Sequence, residues 1–270
     1  MGNHESSGNA LKADLLCIAD SNWVLGHWYT NCMLNGRELT DFTSMAGIAE
    51  DKLGHVRALF RFMEEYFDLP EFQLEFGRSA EHIHSMQLLD EPPQSWTDFI
   101  LTLYLADVAI WRFTNALREA DVTPVTNLLT KFGEEVYFHQ LCIDGWLKAL
   151  DDDERAALNE SLSRRLPLAL AWFDDAEARS EYLEVVLNKL SSIAELSDAE
   201  LASLATVDER EDRDPLRRRT AGSTMPPRLW ESIVPTSEAA LIARRPLAVS
   251  VDDNIDLFGK IRQDETEPKF

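Results

Sequence analysis

Two short stretches carry the residues best suited to chemistry. "DKLGH" runs from Asp51 to His55, and "EVYFH" runs from Glu135 to His139. Each has a carboxylate four residues before a histidine, so on a helix both side chains leave from nearly the same side. A further acid, Asp107, lies at the centre of the apolar run "LTLYLADVAIW". Carboxylates and imidazoles on facing helices are the donor set of a di-iron carboxylate centre, which takes Glu-x-x-His from two helices and one carboxylate from each of two others. The i, i+3 spacing lets glutamate and histidine grip metal together on one face. Here the residue three before His55 is Lys52, and the residue three before His139 is Val136. An ammonium must lose its proton to bind iron, and valine has no donor atom. Asp51, Lys52, His55, Asp107, Glu135, Val136 and His139 therefore read as a degenerate di-iron site. The expectation is no metal ligand and no catalytic residue on this chain. The alternative is an oxygenase with an unorthodox metal site made from Asp51, His55, Asp107, Glu135 and His139. Lys52 argues against it, because a cation beside a cationic metal is repelled.

Lys52 and both histidines fall where apolar residues belong. Met45, Ala49, Val56, Leu59 and Met63 recur at helical spacing, and Lys52 lies on the same stripe. The stripe Ile100, Leu103, Asp107, Ile110 and Thr114 carries one acid, and Leu129, Phe132, Val136, His139, Ile143 and Trp146 carry one imidazole. A buried, unpaired carboxylate is costly, so something must face Asp107. Two roles for Lys52 stay open. It can replace the metal as the counter-ion of Asp51, Asp107 and Glu135, or it can run its stem along the bundle to water.

The elements that position these residues are long helices. Expected spans are Leu11 to Met33, Asp41 to Phe67 with Thr40 as N-cap, Trp96 to Glu119, and Val125 to Leu150. Two more follow, from Glu154 to Arg179 and from Tyr182 to Leu204, with a short helix near Arg228. Residues 68 to 94 form an irregular connection, and its His82 and His84 read as loop residues. Four amphipathic helices with one long crossover are the ferritin-like bundle, so the fold class is all-α with extra C-terminal helices. The division is a disordered start over 1 to 10, a helical domain over 11 to 205, and a charged linker and extension over 206 to 270.

Composition narrows the function classes. The net charge of −22 makes nucleic acid and anionic membranes poor partners. Seven lysines against nineteen arginines, under 48 acidic residues, is a surface suited to a high-salt cytoplasm. Cys17, Cys32 and Cys142 have no CxxC spacing and read as reduced, buried thiols, and the start has no signal-peptide shape, so the expected location is cytoplasmic. No glycine-rich nucleotide loop is present.

Three stretches, "WVLGHWYTNC…LTDFTSMAGIAEDKLGHVRALFRF", "LDEPPQSWTDFILTLYLADVAIWRFTNAL" and "FGEEVYFHQLCIDGWLKAL", give the chain a resemblance to the phenylacetyl-CoA 1,2-epoxidase family of aerobic phenylacetate catabolism. It covers roughly residues 11 to 200. The resemblance implies a ferritin-like fold and a multicomponent monooxygenase. In that family the catalytic A subunit has full Glu-x-x-His motifs, each preceded by an extra carboxylate. This chain keeps the extra carboxylates (Asp51, Glu135), the histidines and Asp107, but lacks both motif glutamates. In the first helix Asp20 is the nearest carboxylate. That pattern resembles the non-catalytic C subunit, which scaffolds the A subunit. It implies no cofactor on this chain, iron in the A-type partner, contacts with other epoxidase subunits, and room for self-association. The tail from Thr220 onward is unlike the family's C-subunit ending.

Overall fold

The computed structural model describes residues 2–119, 124–191, 193 and 212–234. Its helices are α1 (Gly2–Cys32), α2 (Leu39–Phe67), α3 (Glu71–Phe76), α4 (Trp96–Glu119), α5 (Val125–Lys148), α6 (Asp152–Leu170), α7 (Ala176–Leu190) and α8 (Pro227–Ile233). A two-stranded antiparallel hairpin, β1 (Arg213–Asp214) and β2 (Arg219–Thr220), precedes α8. Helices α1, α2, α4 and α5 pack as a four-helix bundle. α1 lies along α2, α4 lies along α5, and the crossover over residues 68–95 joins the two pairs. This is the ferritin-like arrangement. No helix among the described residues is long and apolar enough to cross a membrane.

Local sequence explains most boundaries. At the head of α2, Glu38 rather than Thr40 is the N-cap, in a capping box with Asp41. Asp41 has a second task, because its other oxygen accepts from the Trp146 indole and ties α2 to the end of α5. α2 ends at Asp68 in the left-handed region (φ 55°), just ahead of Pro70. α4 is apolar on nearly every side because it is buried on nearly every side: α1, α5, α6 and α7 all pack on it.

Several expectations need correction. α1 begins at Gly2, so helix extends through the stretch expected to be disordered. That stretch contains no proline, and adding turns to a docked helix needs no new nucleus. α3 adds a helical turn and a half inside the irregular connection. The break between α6 and α7 falls at Ala171–Asp175 instead of near Ser180. Pro167 removes a hydrogen bond close to the end of α6, and Asp175 caps α7 by accepting from the Ala178 N–H. Cys142 is half-buried rather than buried. The expected linker from 206 is, where described, a pinned hairpin. The expected helix from 194 to 204 and the tail beyond 234 lie outside the described residues.

Candidate functional site

The site lies where α1, α2, α4 and α5 face one another midway along the bundle. Each helix contributes the residue its buried stripe demands, and the stripes meet around a small cavity of about 10 Å³, room for a single water. Lys52 and His55 enter from α2, Asp107 and Thr114 from α4, Phe132 and Val136 from α5, and Asn22 from α1.

Lys52 and Asp107 form the centre. Lys52 Nζ donates to Asp107 Oδ1 at 2.5 Å, and each side chain is only 1% exposed. The ammonium therefore does not run out to solvent. Among the described residues, Asp107 Oδ2 is buried with no hydrogen-bond partner, so Lys52 provides the only hydrogen bond this carboxylate receives there. Burying two charges is tolerable only as a pair.

The two histidines flank that pair, and each turns outward to a carboxylate on the opposite helix. His55 Nε2 meets Glu135 Oε2 at 2.5 Å, and His139 Nε2 meets Asp51 Oδ2 at 3.0 Å. The carboxylate and histidine within each fragment thus do not pair with each other; they cross-pair between α2 and α5. Their exposures decide their character. Both imidazoles are buried, whereas the side chains of Asp51 and Glu135 are 41% and 33% exposed. Burial, reinforced by the Lys52 charge, pushes His139 down to about 4 and His55 down to about 2. Burial also raises Asp51 and Glu135 above the usual carboxylate range. The contacts are thus hydrogen bonds from neutral imidazoles rather than ion pairs: in the neutral tautomer that serves them, Nε2–H donates to the carboxylate. That tautomer leaves His139 Nδ1 as an acceptor, and it is buried without a partner among the described residues. Phe132 stacks on His55 with ring centres 3.9 Å apart and fixes its plane.

The sequence-derived residues are thus brought together, with one change of role. Lys52 neutralises Asp107 alone; it does not bridge Asp51 and Glu135, which point outward. Val136 lies against the cavity as expected. Asp20 is elsewhere. It is fully buried against the crossover, where it accepts two hydrogen bonds from the Arg78 guanidinium (2.7 and 2.8 Å) and one from the His84 N–H (2.7 Å). The α1 residue that faces the site is Asn22, whose Oδ1 is buried and has no partner among the described residues. The signal for it was present: Asn22 falls between Ile18 and Leu25 on a buried stripe, as Asp107 does on its own.

These residues do not fit a di-iron centre. The four positions that would supply bridging or terminal carboxylates hold Asn22, Lys52, Asp107 and Val136, so one acid remains, and it is already bonded to an ammonium. Among the described residues no group of three or more His, Cys, Asp or Glu is arranged to hold a metal ion. What the arrangement does chemically is bury one charge pair, hold two imidazoles neutral and lock α2, α4 and α5 in register.

The helical bundle agrees with a comparison against protein families. The model described as "Phenylacetic acid catabolic protein" matches residues 2–208. The chain belongs to the phenylacetic acid catabolic protein family. A comparison with curated proteins gives no match. The family match takes in α1 to α7 and ends before β1, so the hairpin and α8 lie outside it. As a phenylacetic acid catabolic protein the chain has its place in the breakdown of phenylacetate, and its buried centre carries Lys52 and Val136 where a metal-binding ferritin-like protein carries glutamates.

Proposed function

We propose that this chain is the structural, non-catalytic subunit of a multicomponent monooxygenase that epoxidises the ring of phenylacetyl-CoA. It scaffolds a paralogue that carries the di-iron centre, with O2 as oxidant and electrons from a separate reductase. One observation carries the reading: in the buried Lys52–Asp107 pair, 2.5 Å apart, a fixed ammonium stands three residues before His55, where a Glu-x-x-His motif has its glutamate. A lysine there repels a second cation and holds the remaining carboxylate. A ferritin-like bundle whose centre is closed by a charge pair keeps four packed helices to present to a partner, which is what a packing subunit needs. The acidic, lysine-poor composition supports a high-salt cytoplasm as its setting.

The test is co-expression of this chain with the paralogue that retains both Glu-x-x-His motifs. The expected result is a stoichiometric complex with all iron in the paralogue, and epoxidation that survives Lys52→Met in proportion to the complex recovered. If the chain alone holds iron and turns over substrate, it is an oxygenase in its own right and the proposal fails.

A further inference from the structure

A second concavity lies at the other side of α1, away from the degenerate centre. It encloses about 550 Å³, within the range of small-molecule sites. Its apolar walls are Leu16 from α1, Leu69 from the α2–α3 turn, Leu74 from α3, and Leu216 from the hairpin. Every charged or titratable side chain in its lining is basic: Lys12, Arg78, His82 and His84. That is unexpected in a chain of net charge −22, where acids outnumber bases 48 to 26. Asp20, which pairs with the lining residue Arg78, has both oxygens committed to Arg78 and the His84 N–H, and is fully buried.

The pocket is built rather than incidental. Arg78 is fixed by Asp20, by its bond from Nε to the Leu74 carbonyl (2.7 Å), and by the faces of Trp23 and Phe60. Its charge is thereby neutralised by Asp20. Lys12 has no ion-pair or hydrogen-bond partner among the described residues, which makes it the free cation of the site. Leu216 is held in place from both sides. Its carbonyl accepts from the Cys17 thiol, and Arg217 and Arg219 reach into the crossover to the carbonyls of Ile83 and Ser85. Leu216 belongs to the segment beyond the family match, so one wall of this pocket comes from outside the matched residues.

We propose that this pocket binds a small amphipathic monocarboxylate, its apolar body on Leu16, Leu69, Leu74 and Leu216 and its charge at Lys12. One free cation beside a neutralised arginine selects a single negative charge. Four leucines and no acid select an apolar body. An uncharged analogue loses the attraction to Lys12, and a dianion leaves one charge unpaired over apolar wall.

The test is isothermal titration of the full-length chain with octanoate and with octanamide. The expected result is saturable binding of one octanoate per chain, with octanamide weaker by about tenfold or more, the factor a single charge-assisted contact supplies. Lys12→Glu and Leu216→Asp each weaken octanoate by about tenfold while leaving the Tm unchanged, since Lys12 has no partner to lose among the described side chains and Leu216 is half-exposed. No saturable binding, equal binding of the two probes, or full binding by either variant overturns the proposal. None of these outcomes bears on iron content, so the pocket and the scaffold reading stand or fall separately.

Discussion

Replacing Lys52 with methionine exposes the logic of the centre most sharply. Methionine keeps the apolar stem and removes the charge. Asp107 then loses the only hydrogen bond it receives among the described residues, because Oδ2 has no partner there. Two outcomes are open to it. A carboxylate left charged and unpaired in the interior costs several kcal/mol, and truncating one partner of a buried pair costs about 3–5 kcal/mol. A carboxylate that takes up a proton instead must do so about 3 pH units above the ordinary aspartate value at pH 7, at about 1.36 kcal/mol per unit, or about 4 kcal/mol. The cheaper route sets the loss, so Lys52→Met is expected to destabilise by about 3–4 kcal/mol at pH 7. Protonation becomes easier as pH falls, so the difference from the parent shrinks to about 1.5 kcal/mol at pH 5. Removing both charges in Lys52→Met/Asp107→Leu leaves nothing stranded and is expected to be neutral or stabilising. Urea unfolding of the three proteins at both pH values reads all of this. A single variant within about 0.5 kcal/mol of the parent at pH 7, or a loss that does not shrink at pH 5, refutes the buried-pair argument.

Other expectations follow from neighbouring contacts. His139 is held neutral, down to about 4, while an unfolded histidine takes up its proton near 6.5, so stability falls as pH drops between those values. His139→Gln should therefore remove about 3 kcal/mol of acid sensitivity between pH 7 and pH 4, measured by urea unfolding at each pH. Arg165 is fully buried and donates to both oxygens of Asp98 and to the carbonyls of Leu88, Glu91 and Pro92. Arg165→Lys should lose about 3 kcal/mol or more, because an ammonium cannot span that fork; a shift in Tm of only a degree or two would contradict it. Tyr182 donates to the Leu105 carbonyl at 3.0 Å, and Tyr182→Phe should cost only about 1 kcal/mol, since that oxygen is a helix acceptor already. Raising KCl from about 0.1 to about 2 M should raise the Tm by screening the −22 net charge; a falling Tm would sink the high-salt reading.

The bundle was legible because its cues are local. The breaker "DEPPQS" and an unbroken apolar run define α4, and the stripes of α2 and α5 follow from helical spacing alone. The burial of Lys52, Asp107 and His139 was legible for the same reason: polar residues stood on apolar stripes. Their pairing was not. A stripe gives a direction but not a rotamer, and three acids near one lysine leave the choice to packing, which sends Asp51 and Glu135 outward to the histidines of the facing helix. The hairpin was hidden because its reasons are distant. The segment around "RRR" reads as a charged linker, yet Arg217 and Arg219 find carbonyls more than 130 residues earlier in the chain. The α6–α7 break was misjudged because "LAWF" continues an apolar pattern straight through it.

The central claim is that Lys52 and Asp107 stand in place of a metal, and the most direct measurement is the iron content of the chain purified alone from iron-supplemented, high-salt culture. The account predicts about 0.1 iron per chain or less, and no change when Asp107 is replaced by alanine. One or two irons per chain, lost with Asp107→Ala or His139→Ala, would contradict it.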